Sequence, residues 1–131
     1  MDLEKIFKNL IIANVVAIFI FIIAAFNMPK DLMEIAEYVP AGIYETEFGF
    51  VATIILTIAY IVSLVLLYRF VSFGKNVYVI VIVVGIVLDL AGGAYIMPSF
   101  TYILGSIVNI ITGAILTLLF FSPIKDKFIP K

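Results

Sequence analysis

Residues Val77–Ile96 read VYVIVIVVGIVLDLAGGAYI, twenty residues that are almost wholly apolar and carry one carboxylate, Asp89. At 1.5 Å rise per residue such a run spans about 30 Å, the thickness of bilayer hydrocarbon, and so predicts a transmembrane helix. An Asp at the centre of a span is unfavourable by about 2.5–3.5 kcal/mol on insertion scales. What Asp89 does there is the main functional question the chain poses.

Three further runs have the same character, giving expected spans at about 9–27, 49–70, 77–96 and 100–121. With 65% hydrophobic residues and a mean hydropathy of +1.28, the chain is too apolar for a soluble domain. The runs lack period-2 alternation, which excludes an outer-membrane barrel and leaves an all-α membrane protein, read as one domain over residues 1–131.

Basic residues set the expected orientation. Lys5, Lys8, Arg69, Lys75, Lys125, Lys127 and Lys131 fall on one side of this arrangement and Lys30 alone on the other. The positive-inside rule therefore places both termini in the cytoplasm and predicts a multi-pass protein of the plasma or inner membrane. Short connections, VSFGKN with Gly74 as a helix stop and MPS with Pro98, suggest spans two to four running antiparallel in sequence order as a four-helix bundle.

Between spans one and two lies NMPKDLMEIAEYVPAGIYETEF, which carries five carboxylates, Asp31, Glu34, Glu37, Glu45 and Glu47. Its acidity suits the outer side. Asp31–Tyr38, preceded by Pro29 and stopped by Pro40, predicts a short amphipathic helix on the membrane surface, with Leu32, Ile35, Ala36 and Val39 on one face.

Within lipid, helix contacts are marked by small and hydrogen-bonding residues. On span three Tyr78, Gly85, Asp89, Gly92 and Gly93 fall in a sector of about 100°. Span four carries a stripe of Tyr102, Gly105, Ser106, Asn109, Thr112, Gly113 and Thr117. Gly85, Gly92, Gly93, Gly105, Ser106, Thr112 and Gly113 are accordingly expected to pack helices. Asp89, Asn109, Thr57 and Tyr60 lie at similar expected depths and are the candidate intramembrane polar site. Arg69 lies at the cytoplasmic end of its span and no Lys or Arg lies deeper in any span, so Asp89 is expected to be a neutral carboxyl that donates to Asn109 or a threonine.

The chain has no cysteine and no histidine, which removes disulfides, thiolate chemistry and the usual metal and haem ligands. No cofactor and no metal is expected. Basic residues form no patch, so no nucleic-acid partner is expected. Nor is there a nucleophile–base constellation or a phosphate-cradling loop, and the chain is read as non-enzymatic. Two functions remain. One is action by association, as an accessory subunit of a membrane complex or a self-associating protein. The other is a proton- or cation-coupled transporter or channel component using Asp89.

Overall fold

The computed structural model describes residues 2–39, 42–93 and 96–129. Among these the chain is all-helical, without strands. Its elements are α1 (Leu3–Phe26), α2 (Lys30–Ala36), a 3-10 turn (Ile43–Glu45), α3 (Glu47–Tyr68), α4 (Gly74–Ala91), α5 (Ser99–Phe121) and a second 3-10 segment (Pro123–Phe128). The helices α1, α3, α4 and α5 are each long and apolar enough to cross a membrane.

Local chemistry explains the helix limits. Asp2 caps α1 by accepting from the amides of Glu4 and Lys5, and Thr46 caps α3 by accepting from Gly49. Pro29 and Pro98 precede α2 and α5, where a missing amide is harmless. The short helix α2 matches the expected surface helix in place and buries none of its residues, leaving Met33 and Ile35 exposed. The expected stop at Pro40 lies outside the described residues.

The third span departs most from expectation. Gly74 does not end a helix but begins α4, and it is buried where a Cβ would sit 2.9 Å from the Leu66 side chain; α3 ends earlier, at Tyr68, just before Phe70 takes a positive φ. At its other end α4 finishes at Ala91, five residues before the expected limit of Ile96. Gly92 caps it, and Gly93 turns the chain at φ +77°, a conformation that only glycine adopts readily. Asp89 is therefore in the last turn of α4 rather than mid-helix.

The main contacts pair α1 with α5 and α3 with α4, and α1 with α3 joins the two pairs. The consecutive helices α4 and α5 are not a major contact, contrary to the expected sequential packing. Buried residues concentrate in the half that holds both chain ends: Phe7, Ile11 and Ile18 of α1, Leu64 and Leu67 of α3, Tyr78 of α4, Ile115 and Leu119 of α5. Ile124 and Phe128 fold back onto this core. Phe7, Phe70 and Phe128 cluster there at ring separations of 5.5–6.3 Å, with Phe7 stacked on Phe70 and edge-on to Phe128, and Phe70 takes φ +53° in the tight turn between α3 and α4. Glu4 pairs with Lys8 at 2.8 Å and with Lys127 at 3.2 Å, tying the two ends of the chain together.

Candidate functional site

Away from that core the four long helices diverge around a cavity of about 320 Å³. Each contributes wall: Phe21 and Ile22 from α1, Thr57 and Tyr60 from α3, Gly85 and Asp89 from α4, Asn109 and Thr112 from α5, with Tyr44 from the loop before α3. All four residues of the predicted polar site, Asp89, Asn109, Thr57 and Tyr60, thus line one space. Weak α4–α5 contact is what leaves room for it.

The site has two polar levels. At its floor the Tyr60 hydroxyl lies 2.7 Å from Thr112 Oγ1, donates to Asn14 Oδ1 at 3.4 Å and sits 3.5 Å from the Tyr78 hydroxyl. Asn14 Nδ2 donates to Thr112 Oγ1 at 3.1 Å. One residue from each long helix meets here, and Asn14 and Tyr78 are fully buried. Buried polar groups are tolerated where hydrogen bonds satisfy them, and among the described residues no buried side-chain polar atom lacks a partner.

At the other level is Asp89, about 16 Å further along α4 than Tyr78, eleven residues at 1.5 Å rise. Its Oδ1 accepts from the Tyr44 hydroxyl at 2.5 Å. The loop is built to deliver that tyrosine. Thr46 Oγ1 donates to the Ile43 carbonyl while accepting from the Gly49 amide, folding the 3-10 turn back onto the start of α3. Gly49 has no room for a side chain there: a Cβ would lie 1.8 Å from the Ile43 carbonyl oxygen. Gly42 likewise presses on α4, where a Cβ would meet the Gly92 carbonyl oxygen at 1.8 Å.

This corrects the expected surroundings of Asp89. Its hydrogen-bond partner is a loop tyrosine rather than Asn109 or a threonine, and the residue is exposed rather than buried. Thr57 donates to the Thr53 carbonyl at 2.8 Å, along its own helix. Asn109 is exposed along the cavity, and its side chain makes no hydrogen bond to a described side chain or backbone group.

The small residues divide in the same way. Gly105 does allow close approach, with the Phe21 ring 3.3 Å from where its Cβ would be. Thr112 joins α5 to α1 and α3 by hydrogen bonds. Gly92 and Gly93 serve the helix end: the Tyr44 ring lies 2.3 Å from a Gly92 Cβ position and Gly42 Cα 3.3 Å from that of Gly93. Gly85 and Gly113, expected at helix contacts, are not at one, since a Cβ on either would meet nothing within 4 Å. Ser106 hydrogen-bonds its own helix, at the Tyr102 carbonyl.

Sequence reasoning named Tyr60 and Thr112 but missed Tyr44, Asn14 and Tyr78 as site residues. Asn14 is the one amide in the interior of its span, between Asn9 and Asn27 at the two ends, and Tyr78 shares the face of Asp89, so both carried a usable signal. Tyr44 sits in a polar loop and carried none. No protein-family model, curated protein or solved structure matches the chain. The site's geometry is the ground for a functional reading.

Proposed function

We propose that this chain is a non-enzymatic, multi-pass membrane protein with antiparallel spans and cytoplasmic termini, whose work is to bind a cation at Asp89 as a proton- or cation-coupled transport component. The observation that carries this is the convergence of Asp89, Asn109, Thr57 and Tyr60 on one cavity. No residue lining it is basic, and no salt bridge to Asp89 is formed among the described residues. The carboxylate also stands in the last turn of α4, where the negative end of the helix dipole disfavours an anion and favours a cation. Both terms ask for a positive charge that the described residues do not supply.

Under positive-inside orientation the Asp89 end of the cavity faces the outer side, and the packed aromatic end faces the cytoplasm. In proteoliposomes the wild type should move protons or monovalent cations, and Asp89→Asn should reduce that flux to the level of empty liposomes while leaving helicity intact. Wild-type flux equal to that of empty liposomes would overturn the reading.

A second reading, action by association, rests on a different observation. On their other side α3 and α4 leave a wholly apolar groove of about 500 Å³ lined by residues such as Phe48, Val51, Ile55, Val83 and Val87. Under that reading the groove seats a helix of a second copy or of a larger complex in the plasma or inner membrane. Site-directed crosslinking from Val51 and Val87 in native membranes tests it, and crosslinks to lipid alone would count against it.

A further inference from the structure

We infer that the cation taken by the Asp89 cavity is organic, an ammonium group on an apolar body, rather than a bare inorganic ion. This inference rests on the cation-binding reading above and specifies its ligand.

Size is the first ground. A cavity of about 320 Å³ is at the lower end of the range for small-molecule sites, whereas a water molecule's share of liquid volume is only about 30 Å³. Ligand count is the second. Hard cations take about six or more oxygen ligands, drawn mainly from carboxylates, carbonyls and water. Here the described lining supplies one carboxylate, Asp89, and one side-chain amide, Asn109, and its other polar side chains, such as Thr57 and Tyr60, are neutral hydroxyls. No group of three or more His, Cys, Asp or Glu that could hold a metal ion exists among the described residues. Wall chemistry is the third. Most of the lining is aliphatic or aromatic, and it includes Tyr44, Tyr60 and Phe21, side chains of the kind whose rings attract an ammonium group. A single charge at one end of a mostly apolar, otherwise uncharged space complements a molecule with a single charge on an apolar body.

Gly85 provides a steric test that a bare ion would not feel. It lines the cavity, and a Cβ there meets nothing within 4 Å, so a larger side chain would grow into the space without disturbing a helix contact. The probe is radiolabelled benzyltrimethylammonium, measured by scintillation proximity on purified protein in nanodiscs, with circular dichroism as the control for folding. Saturable binding is expected in the wild type, with about tenfold weaker affinity in Asp89→Asn, equivalent to about 1.4 kcal/mol. Gly85→Leu should weaken binding at least as much, with helicity unchanged. Excess sodium should not displace the probe, and tetramethylammonium, with the charge but little body, should compete poorly.

Displacement by sodium, or unaltered binding in Gly85→Leu, would overturn the organic-cation inference. No probe binding together with Asp89-dependent flux of protons or sodium would also overturn it while leaving the proposed function standing. Absence of both would remove the two together.

Discussion

The two halves of this molecule solve packing differently. Toward the chain ends, large apolar side chains interlock: Phe7, Leu64, Leu67, Ile115 and Leu119 are fully buried, and three phenylalanine rings close the bottom. Toward the loops the same four helices separate, burial falls to isolated positions such as Gly49, Gly92 and Thr101, and a cavity opens. The difference teaches where a bundle this small can keep a site. In lipid, stability must come from close packing rather than from a drive to leave water, so a rigid half supports a half left open.

The largest expected effect tests that division. Phe7→Ala should destabilise by about 2–3 kcal/mol, below the range for soluble cores because lipid tails receive an exposed apolar surface without penalty. Leu56→Ala, in the cavity wall, should lose less than about 1 kcal/mol because that side chain already borders open space. Reversible unfolding in mixed micelles measures both. Equal losses would erase the contrast between the halves.

Next in size is the floor that separates them. Tyr60→Phe keeps the ring against Tyr78, 5.6 Å between centroids, and removes only the hydroxyl shared by Asn14, Tyr78 and Thr112. Interhelical hydrogen bonds in membranes average about 0.6 kcal/mol and reach about 1.7, so a loss of about 1 kcal/mol is expected. A double-mutant cycle with Thr112→Val should show positive coupling, and strict additivity would mean that the cluster is not a network.

How much of this was legible follows from the physics of each signal. Four apolar runs are a one-dimensional property, so the long helices emerge near their expected places. That Asp89, Asn109, Thr57 and Tyr60 line one space was legible because helical periodicity ties face to residue spacing, but the expected common depth is not found, since Tyr60 meets Tyr78 about three turns of α4 from Asp89. The depth of Asp89 was not legible, because Gly92 and Gly93 read equally well as helix-packing glycines and as a helix stop. Which helices pair was legible in part: the short connection between them predicts α3 beside α4, as found, but the equally short one before α5 gives no sign that α5 packs on α1 rather than on α4. Tyr44 reaches Asp89 only through the fold of its loop, which periodicity cannot express.

A smaller effect is expected where the loop meets the open half. Gly42→Ala places a methyl against the Gly92 carbonyl, so loop and helix end must part. Because little is buried there, global stability should change by less than about 1 kcal/mol. The local consequence is larger: Tyr44 should leave Asp89, and reaction of that carboxyl with a lipid-soluble carbodiimide should rise several-fold. Unchanged labelling would show that the loop holds Tyr44 in place without the Gly42 contact.

The smallest effect separates two glycines of one stripe. On α5 the line facing the core is marked by the buried residues Thr101, Ile115 and Leu119. At 100° per residue, Thr112 and Gly105 lie about 20° and 40° from Leu119, whereas Gly113 lies about 120° away. The stripe is therefore two edges, one in contact with α1 and one turned from it, where Ser106 and Thr117 satisfy their hydroxyls on their own backbone. Alanine favours a helix over glycine by about 0.5–1 kcal/mol when nothing obstructs it. Gly113→Ala should gain about that much. Gly105→Ala should gain nothing, because the Phe21 ring 3.3 Å from the new methyl must shift and offset the backbone term. Equal gains at both would mean that α1 and α5 yield as freely beside the cavity as at the open edge, and the rigid half would have to end lower in the bundle than the floor of Asn14, Tyr60, Tyr78 and Thr112.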